Sequence, residues 1–350
     1  MTGGSGGLKP SPPGTGIPPT LEQVAALAGV SRATVSRVVN GSPKVSPVVR
    51  AQVERAVAKL GYVPNRAARS LVTRRADSVA LVVSEPHARF FSEPFFAGVV
   101  RGVSAVLAET GVQLLLLIAQ DLPDRGRLER YAVGGHVDGV LLASLHGDDP
   151  LPGILERAGV PAVLVGRPAG AAPASYVDAD NRGGAGKAVA HLARRGRRRI
   201  ATITGPLDMG VGLDRLEGYR DGLAAAGLAG SGDLVEIGDF TEEGGAAAMG
   251  RLLARPGDPV DAVFAASDLM AAGALRALRA AGRRVPEDVA VVGFEDSAVA
   301  RYAQPPLTTI RQPIEEMGRQ ATRLLLAQIA GEAGGMHLIL DTELVVRASA

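Results

Sequence analysis

The chain has 350 residues, with 38 basic and 36 acidic side chains for a formal charge of +2, and it contains no cysteine and no tryptophan. At roughly 100 to 200 residues per domain this length implies two or three domains, and a hydrophobic content of 46% is enough for a sizeable core. The missing cysteines exclude a disulfide scaffold, a thiolate zinc site and a cysteine nucleophile, and they fit a reducing compartment.

The first 19 residues include glycine at 3, 4, 6, 7, 14 and 16 and proline at 10, 12, 13, 18 and 19, so this tail (1–19) is expected to be disordered. It lacks the basic start, apolar core and cleavage site of an export signal. The longest aliphatic run, Leu114 to Ala119, is far below the ~18 apolar residues of a membrane span and reads as a buried strand. A cytoplasmic protein without a membrane partner is expected.

Thr20-Leu-Glu-Gln has the form of a capping box, in which the threonine hydroxyl accepts from the Gln23 amide and the glutamine side chain reaches back. A first helix then runs to about Ala28. Between Thr20 and Arg75 stand ten basic residues and two acidic ones, Glu22 and Glu54, a net +8, which leaves −6 on the rest of the chain. A small basic module beside a mildly acidic body is the footprint of a nucleic-acid-binding head, although charge alone fits a solvated helical face equally well.

The order of residues within that module is more specific. Val24, Ala25 and Ala28 give the first helix a small-residue face, Gly29 permits a tight turn, and Ser31 caps a second helix whose Val35 and Val38 pack back on the first. These are the mechanics of a helix-turn-helix. Arg32, Ala33 and Arg37 then fall on the exposed start and middle of the second helix, where they can meet base edges in a major groove, an arginine pairing bidentately with guanine. Thr34, Ser36 and Asn40 supply short donors suited to phosphates.

After Arg75 short aliphatic strands alternate with alanine-rich helices. Strands are expected at 79–84, 113–119, 137–142, 162–165, 200–203, 262–265 and 289–293, with helices at 94–109, 183–194, 214–226, 241–253 and 268–281. This alternation means parallel, doubly wound sheets. About 265 residues is large for one sheet, so two α/β lobes with a cleft at the strand carboxyl ends are expected.

The segment Val24 to Gly41, Val-Ala-x-x-Ala-Gly-Val-Ser-x-Ala-Thr-Val-Ser-Arg-Val-x-Asn-Gly, resembles the DNA-binding head of the LacI/GalR family of bacterial transcriptional regulators. The likeness continues through Val45-Ser46, with Pro47 in the first turn of a third helix, and through Leu60-Gly-Tyr-x-Pro-Asn-x-x-Ala-Arg-x-Leu71. It implies DNA contacts from Thr20, Ser31, Ser46, Tyr62, Asn65 and Ala68 as well. Residues 65–71 match the family's hinge helix, ordered on operator DNA, where Leu71 of each subunit wedges into the minor groove; such a wedge unstacks and kinks the duplex. Val49 stands where the family usually has a phosphate-contacting threonine.

The resemblance extends along the body through Thr202 to Tyr219, Gly238 to Phe240 and Val291 to Pro313, and implies an α/β two-lobed periplasmic-binding-protein-like effector domain behind the all-α head. The implied domains are a head at 20–64, a hinge and linker at 65–76, and an effector-binding and dimerisation domain at 77–350. The implied effector residues are Arg215, Phe240, Asp268 and Glu295, with Phe95 and Phe96 from the first lobe. Carboxylates and a guanidinium can chelate adjacent hydroxyls, and an aromatic face can cover a sugar ring. Glu295 replaces the family's usual aspartate. Each residue also has a plainer role: core packing for the phenylalanines, helix capping beside Ser267 for Asp268, and pairing with Asp214 or Glu217 for Arg215.

Enzyme chemistry finds no support. Asn181 to Ala188 approaches a phosphate-binding loop but lacks its first glycine and final hydroxyl residue, no Gly-x-Ser-x-Gly elbow appears, and the five histidines have no metal-ligand spacing. No cofactor is expected. The sequence therefore predicts a DNA-binding repressor of carbohydrate-utilisation genes, a homodimer on a palindromic double-stranded operator, released when a sugar effector closes the lobes. A corepressor-dependent regulator is the alternative within the family, and a sugar-binding protein or enzyme with a basic head the alternative outside it. With no leucine heptads before Ala350, dimer is the expected assembly.

Overall fold

The computed structural model describes residues 19–63, 75–119, 122–170, 175–228, 234–256, 259–332 and 334–350. The chain divides into two compact units between Ala76 and Asp77. No helix among the described residues is long and apolar enough to cross a membrane.

The first unit is built from α1 (Leu21–Ala28), α2 (Arg32–Val39) and α3 (Pro47–Leu60). Its helix ends are set by local chemistry. The Thr20 hydroxyl accepts from the Gln23 amide and the Gln23 side chain accepts from the Thr20 amide, closing the capping box. Gly29 ends α1 at φ +65°, a conformation costly for any residue with a Cβ, and Ser31 then caps α2 by accepting from the Thr34 amide. Val24, Val35, Val38, Val53 and Ala56 form one small core across the three helices.

The second unit contains two six-stranded sheets. The first lobe holds β1 (Ser78–Val83), α4 (His87–Ser92), α5 (Pro94–Leu107), β2 (Gln113–Ile118), α6 (Leu122–Val133), β3 (Gly139–Ala143), α7 (Leu151–Arg157), β4 (Ala162–Val165) and β5 (Ser175–Ala179). The second holds α8 (Asn181–Arg194), β6 (Ile200–Thr204), α9 (Gly210–Ala225), β7 (Val235–Ile237), α10 (Glu242–Leu253), β8 (Ala262–Ala265), α11 (Asp268–Ala280), β9 (Ala290–Glu295), α12 (Ala298–Tyr302) and β10 (Thr308–Arg311). The chain then returns through α13 (Ile314–Ile329) and β11 (His337–Leu340), which pairs with β5, and crosses again to β12 (Glu343–Val345), antiparallel to β10. Three segments therefore join the lobes, at Asp180, at Gln312-Pro313 and at Asp341-Thr342.

The strand orders β11-β5-β4-β3-β1-β2 and β12-β10-β9-β8-β6-β7 reverse direction between β1 and β3 and between β6 and β8. The loops leaving those strands diverge, and this divergence opens a crevice at the carboxyl ends of each sheet. The central strands are mostly aliphatic and buried on both faces, as in Ser78–Val83 and Gly139–Ala143. Helices approach closely where glycine faces backbone: a Cβ on Gly273 of α11 would stand 1.9 Å from the Glu242 carbonyl oxygen at the start of α10.

Candidate functional site

On α2, Arg32, Ala33, Arg37 and the following Asn40 are exposed, while Val35 and Val38 are buried on the opposite side. The 3.6-residue period thus separates a packing face from an outward face. Arg32 pairs with Glu22 of α1 at 2.9 Å, both side chains exposed. Ser31 and Thr34 share a hydrogen bond of 2.9 Å, and the Ser36 hydroxyl accepts from the Asn40 amide at 3.3 Å. Ser46 caps α3 by accepting from the Val49 amide at 3.4 Å. Tyr62, by contrast, is buried in the core of this unit, with 9% of its surface accessible. Asn65, Ala68 and Leu71 lie outside the described residues, as does most of the expected disordered tail.

In the second unit a cavity of about 660 Å³, part of it open to solvent, lies between the lobes at the strand carboxyl ends. Four of the six sequence-expected effector residues line it: Phe95, Arg215, Phe240 and Glu295. Three lining residues, Ser144 (φ +59°), Phe240 (φ +65°) and Glu295 (φ +116°), hold a left-handed backbone that β-carbons disfavour. Such strain concentrates where function fixes a side chain's aim.

Arg215 does not pair with Asp214 or Glu217. It is buried, and Nε donates to Asn181 Oδ1 (2.9 Å), Nη1 to the Ala266 carbonyl (2.5 Å) and Nη2 to Gln312 Oε1 (3.1 Å). Its guanidinium carbon lies 3.7 Å from the centroid of the Phe294 ring, a stacked cation–π geometry. Asp214 pairs instead with Arg167, and Glu217 with Arg220. Burial lowers the Arg215 pKa to about 10, opposed by Glu295 and Asp178. The guanidinium stays charged at neutral pH.

The remaining two residues fall elsewhere. Phe96 is 2% exposed and packs in the first lobe's core, its ring 5.2 Å from Phe90 and 5.5 Å from Phe95. Asp268 is fully buried, but it is not the cap of α11; Ser267 is, accepting from the Met270 amide. The Asp268 carboxylate accepts from the Ser297 amide (2.7 Å) and the Thr309 hydroxyl (2.6 Å), so both of its oxygens are turned into the second lobe. Burial raises its pKa to about 6.

The cavity also draws on Arg89, Glu93, Asp178 and Gln312, residues that the sequence did not single out. Arg89 pairs with both Glu85 (2.8 Å) and Glu93 (3.0 Å) and reaches across the cleft to within 5.2 Å of the Phe240 ring centroid. Asp178, at the end of β5, accepts from the Ala179 amide and the Asn181 side chain, and burial raises it to about 6. Glu295 Oε2 is buried without a hydrogen-bond partner, and burial, with Asp268 and Glu93 nearby, holds this carboxyl well above the usual range. Carboxyl, guanidinium and amide groups against aromatic faces can satisfy a polyhydroxylated ligand, and an orphaned buried carboxyl oxygen favours one that brings a donor.

The segment resembling a phosphate loop serves the fold. Asp180 caps α8 by accepting from the Gly183 amide at 2.8 Å, and Lys187 donates to the Thr342 carbonyl at 2.7 Å, on another of the crossings.

Comparison with known proteins agrees with both units. Residues 20–65 match the family described as bacterial regulatory proteins, lacI family, and residues 189–350 match the periplasmic binding protein-like domain. The chain is 58% identical over 334 residues to the HTH-type transcriptional regulator CelR of Thermobifida fusca, covering 95% of this chain and 98% of that one. It is 36% identical over 314 residues to the ribose operon repressor of Escherichia coli, covering 89% and 93%. Among solved structures, the CelR–cellobiose complex superposes with a TM-score of 0.77 at 56% identity, over 95% of this chain and all of that one. The lac repressor dimer bound to operator and the anti-inducer ONPF superposes with a TM-score of 0.82 at 27% identity, over 95% and 99%. A helix-turn-helix of this build, a two-lobed binding unit and full-length likeness to these regulators place the chain in the LacI family: it is a transcriptional regulator of the sugar-responsive repressor type, not an enzyme.

Proposed function

We propose that this regulator acts as a homodimer on a palindromic operator and is released by cellobiose or a closely related glucoside. The observation that carries the effector assignment is the cleft itself, where Arg89, Asp178, Arg215 and Glu295 face a cavity walled by Phe95 and Phe240. The 58% identity to CelR of Thermobifida fusca and the 56% identity to a regulator solved as a CelR–cellobiose complex support that choice of sugar. The head is assigned to 20–64, the hinge to 65–76 and the effector unit to 77–350. Arg32, Ala33 and Arg37 read base edges; Thr20, Ser31, Thr34, Ser36, Asn40 and Ser46 hold phosphates; Asn65, Ala68 and Leu71 act at the operator centre. The buried Tyr62 serves the head by packing, and Phe96 and Asp268 serve the pocket by supporting it.

Release follows from differential affinity, because a sugar that binds equally to both conformations shifts nothing. Calorimetric titration of the full chain with cellobiose, glucose and ribose, repeated with operator present, tests this reading. Cellobiose should bind and be weakened by operator, by reciprocity of the two couplings. Cellobiose binding strengthened by operator would reverse the logic to corepression, and binding of none of the three would remove the glucoside assignment.

A further inference from the structure

His146 belongs to the loop after β3 in the first lobe, yet its ring is held from both lobes. Nδ1 lies 2.9 Å from Asp208 Oδ2, in the loop between β6 and α9 of the second lobe. Nε2 lies 3.0 Å from Glu85 Oε1, just beyond β1. The neighbouring Gly147 amide donates to the Asp208 carbonyl at 2.8 Å, so backbone and side chain cross the cleft together. Glu85 is 2% exposed, and its Oε1 also accepts from the Ser144 hydroxyl (2.5 Å) and Arg89 Nη1 (2.8 Å). Arg89 in turn lines the cavity and faces Phe240 of the second lobe. One carboxylate oxygen therefore links the pocket to a histidine that touches the opposite lobe.

The chemistry of this contact depends on one proton. Ionised carboxylates only accept, and a neutral imidazole has a single N–H. Between two carboxylates, only the imidazolium donates on both sides; the neutral ring sets a lone pair against a carboxylate lone pair. The other charged groups nearby are Arg89 of α4, which acts through Glu85, and Asp148 and Asp149 on the histidine's own loop, the latter paired with Arg125 of α6. A second interlobe ion pair joins Arg167 to Asp214.

We propose that His146 is a positioning residue for the effector response, a proton-dependent latch that bridges Glu85 and Asp208 and so holds the two lobes together beside the pocket. This inference rests on the effector reading above for its role, though not for the measurement of lobe separation that tests it. The Glu85 hydrogen bond is the largest influence on the histidine and raises its pKa above the ordinary 6.5, with Asp208 adding to it and burial opposing. The latch is thus fully formed below the ordinary imidazole value and is lost as pH rises through the raised folded-state value, and effector affinity falls with it.

Because the chain has no cysteine, a single pair introduced at exposed sites, Glu156→Cys in the first lobe and Glu243→Cys in the second, can carry spin labels that report lobe separation in the full chain without any sugar. Between about pH 6 and about pH 8.5 the distance distribution should move to longer values in the otherwise unchanged protein. It should stay fixed in His146→Gln and in Asp208→Asn, the latter at a half-exposed position. Cellobiose titration over the same range should show affinity falling at least about threefold more steeply in the parent than in either variant. A pH-independent separation in the parent, or the same pH response in both variants, would overturn the latch. A latch that responds to pH while cellobiose fails to bind would sustain this inference and sink the sugar assignment instead.

Discussion

Arg215 donates to Gln312 at 3.1 Å, joining the interlobe cavity to one of the segments that cross between the two lobes. The same guanidinium donates to Asn181, beside the crossing at Asp180, so two of the three crossings are tied to a group that lines the cavity. Gln312 also donates from Nε2 to Met317, another lining residue. Replacing Gln312 by alanine should weaken the effector at least about tenfold, roughly 1.4 kcal/mol, while leaving operator affinity without sugar nearly unchanged. Arg215→Ala should also destabilise the effector unit, by about 3 kcal/mol or more, because it empties a buried site and strands its partners. Titration calorimetry and urea unfolding separate the two effects; a Gln312→Ala protein with normal sugar affinity would show that the hinge contact is only structural.

Phe95 and Phe96 are adjacent in the sequence and opposite in role. Phe95 lines the cavity, whereas Phe96 is sealed in the first lobe's core. Phe96→Ala should cost about 3–5 kcal/mol of stability. Phe95→Ala should lower effector affinity with a smaller loss of stability. Thermal unfolding with and without cellobiose tests the contrast, and equal destabilisation by both substitutions would contradict it.

Asp178 gives the effector unit a pH-dependent stability. Burial raises its folded-state pKa to about 6, so between roughly pH 4 and 6 the folded protein binds the proton that the unfolded chain has released. Stability from this group is fully present below the unfolded value and is lost as pH rises through 6. Asp178→Asn keeps an acceptor for the Ala179 amide and removes the buried charge. The variant should gain stability at about pH 7.5, by at most about 3 kcal/mol, and the gain should shrink toward pH 5. Denaturant unfolding at the two pH values measures this, and a constant difference would place the pH dependence elsewhere.

Gly273 is required by packing. Its would-be Cβ falls 1.9 Å from the Glu242 carbonyl, a backbone atom that cannot step aside as a flexible side chain would. Gly273→Ala should separate α10 from α11 and cost about 1–3 kcal/mol or more, despite alanine's better helix propensity. A neutral or stabilised variant in urea unfolding would mean that the helices part freely.

In the head, Arg37 is exposed on the outward face of α2 and has no ion-pair partner among the described residues, unlike Arg32, which holds Glu22. Arg37→Ala should cost about 1–3 kcal/mol on the specific operator and relax one position of it. Equal losses on operator and random duplex would mark a phosphate contact.

The head was legible in the sequence because its signals are local: Thr20 with Gln23, Gly29 and Ser31 fix helix ends within a few residues of themselves. The aliphatic strands were legible within two or so residues for the same reason, as at Ala262–Ala265. Strand β5, Ser-Tyr-Val-Asp-Ala, was missed because its polar residues are paid for only by tertiary partners such as Asn181 and Gln328. The site was half legible. Arg215, Phe240 and Glu295 were expected from the resemblance and line the cavity, but Arg89, Glu93 and Asp178 meet only because the sheets reverse order at β1/β3 and cross after β5. Asp268 shows the converse, since only the fold reveals that Ser297 and Thr309 already occupy its carboxylate.

The most direct test is selection of bound sequences from a random duplex pool by the purified full chain at about 0.15 M salt, run in parallel without and with cellobiose. A palindrome with two symmetric half-sites, enriched without sugar and lost with it, is the expected result. Enrichment of no palindrome, or stronger enrichment when cellobiose is present, would contradict a dimeric repressor released by its sugar.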